Sequence, residues 1–178
     1  MGRIVCVANQ KGGVGKTTTA SNVAAGLAKA GMQTLLVDLD PQCNATTGLG
    51  GIPAETHPLV SEAALGENVV STAVTNLSLL PGSRSVRDVE RIADQARAGS
   101  MVLSNHLSCG LNAWDYCLID CPPSLGELTR TALAGSTEVL MPIQCEYFAL
   151  EGLTQMIEVI RDVMADQPGR LSFSGIVL

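Results

Sequence analysis

Aromatic side chains are scarce in this chain, with one tryptophan, two tyrosines and two phenylalanines among 178 residues. Charge is sparse as well, at 16% of residues, while 46% are hydrophobic. That balance is too apolar for intrinsic disorder. Basic residues are the minority, 11 against 17 acidic, for a net charge of −6. A surface that grips nucleic acid everywhere needs the opposite sign, so any DNA role requires a local basic patch. No apolar run reaches the roughly 18 residues that span a bilayer, and no charged-then-apolar leader opens the chain. Met1-Gly2 matches the start of a myristoylation signal, but Cys6 stands where serine or threonine is required. The expectation is one cytoplasmic domain, long enough to withdraw ~70% of its unfolded surface from water.

Metal-binding spacing is also missing. None of the six cysteines forms a Cys-x-x-Cys pair, and His57 and His106 have no ligand-like neighbours. Cys6, Cys117 and Cys121 lie inside apolar runs, where a free thiol behaves as a small hydrophobe.

What is present is an alternation of strand-length and helix-length segments. Arg3–Ala8 is short, β-branched and apolar on both faces, as a strand inside a parallel sheet should be. Lys16–Ala30 predicts a helix ending at Gly31. Further strands are predicted at Gln33–Leu39, Leu77–Leu80, Tyr116–Asp120, Glu138–Ile143 and Leu171–Leu178. Helices are predicted at Arg84–Ala98, from about Ser124 to Ala134, and at Ala149–Ala165, with Pro41–Gly51 as a loop. This order predicts an α/β fold: a doubly wound, mostly parallel sheet with helices on both faces and right-handed crossovers. The chain stops within the apolar run Gly175-Ile176-Val177-Leu178, with nothing after it to cover that strand.

Asn9-Gln10-Lys11-Gly12-Gly13-Val14-Gly15-Lys16-Thr17-Thr18 follows the first strand and opens the first helix. Its glycines permit a tight turn whose N–H groups can point at phosphate oxygens, and the helix N-terminus adds partial positive charge there. In such a loop Lys16 reaches the β- and γ-phosphates and the Thr17 hydroxyl ligates Mg²⁺. The strict P-loop pattern fails at Gln10, and an extra cation, Lys11, precedes Lys16. Two acidic strand ends lie at the same carboxyl edge. Asp38-Leu39-Asp40-Pro41-Gln42 closes the second strand, and Ile119-Asp120-Cys121-Pro122-Pro123 closes the strand at Tyr116–Asp120. Phosphoryl transfer to water needs a group that orients the nucleophile and a metal that balances charge. Asp40 is placed for the first task. Asp120 and Asp38 are candidates for the metal shell, though one aspartate at a strand end, as Asp120 is, is common, and Asp38 and Asp40 could instead be a pair of loop caps.

Together these strings resemble the deviant Walker A motif of the ParA/MinD group of P-loop ATPases, strongest over residues 1–50 and 115–155. The resemblance implies that Gly12 to Thr18 bind ATP and that two copies close face to face over two nucleotides. It also implies that Lys11 is the signature lysine reaching the partner's nucleotide, although a role beside the phosphates of its own chain stays open. Asp40 inherits the water-positioning role, and Asp120 the Walker B contact to Mg²⁺. Asp40-Pro41-Gln42 with Asn44-Ala45-Thr46-Thr47-Gly48-Leu49-Gly50, and Gln144 to Leu153, resemble the ParA/Soj partition branch rather than MinD, whose basic membrane helix is not visible here. Taken alone, the Gln144–Leu153 stretch is a strand-to-helix junction with Glu146 or Glu151 near a helix start. Cys43 stands where that branch commonly has glycine, and relatives continue beyond the equivalent of Leu178.

The implied function is an ATP-hydrolysing dimeric switch for chromosome or plasmid partition, slow and stimulated by a ParB-like partner. Its ATP-bound dimer would hold DNA nonspecifically, with no membrane contact, and associate with the nucleoid. A cargo-positioning ATPase and a nucleotide-binding fragment without turnover stay open beside it. Arg84, Arg87, Arg91 and Arg97 share one predicted helix with Asp88, Glu90 and Asp94, which reads more simply as a solvated mixed-charge face. The expected domain is 1–178, a P-loop ATPase domain without its C-terminal third.

Overall fold

The computed structural model describes residues 2–61, 63–89, 113–146 and 149–178. Among the described residues seven strands form one sheet: β1 (Arg3–Val7), β2 (Thr34–Asp38), β3 (Val70–Ser71), β4 (Leu77–Leu80), β5 (Tyr116–Asp120), β6 (Glu138–Pro142) and β7 (Ser172–Val177). Their spatial order is β3-β4-β2-β5-β1-β6-β7, parallel throughout except for the short antiparallel edge strand β3. Among the described residues the α-helices are α1 (Lys16–Lys29), α2 (Asn44–Gly48), α3 (Pro58–Ser61), α4 (Leu65–Asn68), α5 (Glu127–Gly135) and α6 (Ala149–Asp166).

Strand alternation divides the core into two layers. Val7, Leu36, Leu79 and Leu118 face α1, which answers with the small-residue stripe Ala20, Ala24 and Ala28. Spacing of four keeps that stripe on one side of the helix and lets α1 lie close to the sheet. Ile4, Cys6, Leu35, Val37, Cys117 and Ile119 face the opposite way, against Leu128, Ala132 and Leu133 of α5 and Met156, Val159, Ile160 and Val163 of α6. Helices therefore cover both faces, as the alternation of segments predicts.

Several boundaries differ from expectation for local reasons. Pro41–Gly51 is not all loop, because α2 forms inside it under contacts described below. The helix expected from Ser124 begins at Glu127, after a turn in which the Ser124 N–H donates to the Pro122 carbonyl at 2.9 Å. The predicted Arg84–Ala98 helix opens as a 3₁₀ turn at Arg84–Val86, capped by the Ser83 side chain. Its remainder from Glu90 onward, with Arg91, Asp94 and Arg97, lies outside the described residues. β7 occupies the sheet edge, with Phe173 and Ile176 nearly half exposed.

Candidate active site

The site forms where β1, β2 and β5 end side by side. Register places Asp38 opposite Asp120 and Val7 opposite Asp120, so both acidic strand ends and the Gly-rich loop after β1 meet at one edge. Asn9 anchors the start of that loop. Its side-chain amide donates to the Pro142 carbonyl at 2.7 Å, and its Oδ1 accepts the Lys11 N–H at 3.0 Å. Gly13 and Gly15 adopt φ values of 77° and 86°, which glycine reaches without strain. A Cβ added at Gly12, Gly13 or Gly15 would meet nothing within 4 Å, so these three glycines face open space.

Lys16 opens α1 and is buried, and its ammonium donates to the Lys11 carbonyl at 2.9 Å. Burial lowers its pKa, while Asp120 and Asp40 hold the charge on. Asp120 has no exposed surface, and neither carboxylate oxygen has a hydrogen-bond partner. Burial pushes its carboxyl up to about 7; Asp38 and Asp40 add to the rise, while Thr17 and Lys16 oppose it. Of the groups around Asp120, the Thr17 side chain does most to favour the ionised carboxylate. A buried carboxylate left unpaired is costly, so this pocket suits a hard cation with oxygen ligands. Thr17 and Asp120 thus fit Mg²⁺.

Asp38 is in the opposite state. Its Oδ2 accepts from the Thr46 N–H at 2.8 Å and the Thr46 hydroxyl at 2.6 Å, and its Oδ1 from the Asp40 N–H at 3.2 Å. The Gly82 N–H donates in turn to the Thr46 hydroxyl at 2.8 Å. A Cβ at Gly82 would lie 2.8 Å from Asp38 Cγ, so the chain after β4 approaches closely only as glycine. These bonds hold α2 and the loop carrying Asp40, whose Oδ1 accepts the Gln42 N–H at 2.8 Å. Cys43, at the start of α2, has φ 55°, in the region glycine favours. Beyond Asp40 lies a cavity of about 390 Å³ lined by Pro41, Gln42, Pro122, Pro123, Ser124 and Leu128 among others. Arg84 and Arg87 are exposed beside Pro41 and Gln42.

Asn9, Thr46 and Gly82 escaped sequence reasoning. Asn9 carries a usable signal, an Asx residue entering a Gly-rich turn. Thr46 and Gly82 carry none, because each acts on residues distant in sequence.

Open glycine loop, buried lysine and unpaired strand-end carboxylate define a P-loop nucleotide-binding protein on a parallel sheet. A family model described as "AAA domain" matches residues 2–173. The Bacillus subtilis sporulation initiation inhibitor protein Soj is 42% identical, covering 100% of this chain and 72% of its own length. The Myxococcus xanthus chromosome partitioning protein ParA is 43% identical, covering 100% and 65%. Among solved structures, the cobyrinic acid a,c-diamide synthase of Mycobacterium smegmatis with bound ADP and magnesium superposes with a TM-score of 0.93. It is 35% identical, over 99% of this chain and 74% of that one. The chain belongs to the ParA/Soj family of partition ATPases, within the deviant Walker A group of P-loop proteins.

Proposed function

We propose that this chain carries the nucleotide-binding and hydrolytic site of an ATP-driven partition switch. The observation that carries the reading is the buried, unpaired Asp120 beside Lys16 and Thr17, at the mouth of an open glycine loop. In this reading the N–H groups of Gly12 to Thr18 bind the phosphates, and Lys16 moves from the Lys11 carbonyl to the β- and γ-phosphates. Thr17 and Asp120 hold Mg²⁺, which neutralises charge developing on the phosphoryl oxygens. Asp40, steadied by the Gln42 N–H, orients the attacking water. Asp38 acts one step back, bracing the loop that carries Asp40 rather than touching the metal.

Further steps follow the family pattern. ATP closes two copies face to face, with Lys11 of each reaching the other's nucleotide. The closed dimer holds DNA through phosphates, and a ParB-like partner stimulates slow hydrolysis and release. The switch is cytoplasmic and rides on the nucleoid in its ATP state.

Phosphate release and sedimentation, measured on the wild type, Lys16→Ala and Asp40→Ala, test this reading. Lys16→Ala should lose ATP-dependent dimers, whereas Asp40→Ala should keep them and lose turnover. Unchanged turnover in Asp40→Ala refutes the water-positioning role. Gel shifts with and without ATP across a salt series test the DNA step, since phosphate contacts weaken steeply with salt. Turnover without ATP-dependent DNA binding would instead mark an ATPase that positions a protein cargo.

A further inference from the structure

Lys11 is already engaged inside its own chain. Its ammonium pairs with the Glu146 carboxylate, in the segment joining β6 to α6. The pair is accessible, with side chains 36% and 57% exposed. The same segment grips the loop a second time, where the Gln144 side-chain amide donates to the Gly13 carbonyl at 3.0 Å. The Lys11 carbonyl, in turn, receives the Lys16 ammonium. Both loop cations are therefore satisfied within one chain, in the series Glu146–Lys11–Lys16.

We propose that Glu146 is a positioning residue that parks Lys11 in the single chain and must release it before Lys11 engages the nucleotide of a second copy. The inference rests on the dimeric reading above. Arriving phosphates draw Lys16 off the Lys11 carbonyl, which loosens the backbone holding Lys11. The Lys11 ammonium then exchanges one carboxylate for the more highly charged phosphates of the facing site. Because the pair is exposed, its hold is modest and screened by salt. Exposed pairs of this kind are worth roughly 1.5- to 5-fold in an equilibrium. Two pairs break per dimer, so the threshold for closure is set by about 2- to 25-fold.

Two measurements on the full chain decide this. In nucleotide-free protein, acylation of Lys11 by an amine-directed reagent, followed by peptide mass spectrometry, should be several-fold faster in Glu146→Gln than in the wild type. Equal rates would overturn the pairing. In sedimentation with ATP and Mg²⁺, Glu146→Gln should dimerise about 2- to 25-fold more tightly, and the gap should close near molar salt. A variant that dimerises as the wild type does, or more weakly, overturns the parking role even if the dimeric reading stands. A wild type that never dimerises with ATP overturns the dimeric reading and this inference together, whatever the acylation rates.

Discussion

Asp38 and Asp120 sit opposite one another in the register of β2 and β5, and neither exposes any surface. In chemical state they are opposites. Asp38 accepts bonds from Thr46 and Asp40, and Asp120 accepts none. Burial raises the pKa of both; at Asp38 the Thr46 and Asp40 N–H donors oppose the rise, and at Asp120 Thr17 and Lys16 oppose it while the Asp38 and Asp40 charges add to it. Equal burial and adjacent positions thus yield one carboxylate bonded into the fold and one without hydrogen-bond partners, the one that the proposed function assigns to Mg²⁺. A strand-end aspartate is read correctly only when its partners are counted.

The largest expected effect breaks the Asp120 side. Asp120→Asn should lower Mg²⁺-dependent ATP hydrolysis about 100-fold, in line with the loss of a group that holds a metal. Without nucleotide or metal, the same variant should melt no lower than the wild type at pH 8. A rise of ~1 kcal/mol is expected, because burial and the Asp38 and Asp40 charges outweigh the help from Thr17 and Lys16 and hold the folded carboxyl at about 7, so its charge opposes folding at pH 8. A clear fall in melting temperature would mean that Thr17 and Lys16 already outweigh the cost of burial in the ligand-free protein.

Asp38→Asn should do the reverse. Whichever way the new amide turns, its NH2 meets the donors of Thr46 or the Asp40 N–H, leaving buried groups unsatisfied at a cost of about 2 kcal/mol. For a chain of this size that is a drop of roughly 4–8 °C in melting temperature. Gly82→Ala attacks the same brace from outside, by crowding the Asp38 carboxylate, and should cost ~1.5 kcal/mol. The double variant should cost less than the sum, since both disturb one contact. Strict additivity in urea unfolding would show that Gly82 and Asp38 act independently.

Legibility in the sequence follows the same divide. β4 and β5 fall at the residues expected, Leu77–Leu80 and Tyr116–Asp120, because strands buried on both faces are uninterrupted apolar runs. That the loop carrying Lys16 and Thr17 meets Asp120 at one sheet edge was legible, because both follow buried parallel strands that end side by side; their roles toward nucleotide and metal are those proposed above. The bracing of Asp38 was not, since Thr46 comes from a helix five residues long and Gly82 from beyond β4. β3, α3 and α4 escaped for a related reason: segments of two to four residues are too short to show a period. Cys43 lies between these cases. Its sequence position marked it as a departure, and its φ of 55° supplies the physical reason that glycine suits the site.

The other end of the sheet offers a third carboxylate and the smallest effect. Glu138, at the start of β6, takes a forked contact from Arg3, with Nε to Oε1 at 2.5 Å and Nη2 to Oε2 at 2.6 Å. The Ser174 hydroxyl adds a bond at 2.5 Å, and the Arg3 guanidinium lies 5.5 Å from the Tyr116 ring centre. The Arg3 contact holds the Glu138 carboxyl below its ordinary value, burial opposing and Ser174 assisting. A lowered folded pKa means stabilisation present above the unfolded value of 4.5 and lost as pH falls through the folded one. Arg3 is 56% exposed, so solvent screening limits the contribution to ~0.5 kcal/mol. Glu138→Gln should therefore unfold in slightly less urea than the wild type at pH 7 and in the same urea at pH 3. A gap that persists at pH 3 would assign the loss to the hydrogen bonds alone. A gap well above ~1 kcal/mol at pH 7 would place Glu138 with Asp38, as a carboxylate on which the fold depends, instead of with ordinary surface pairs.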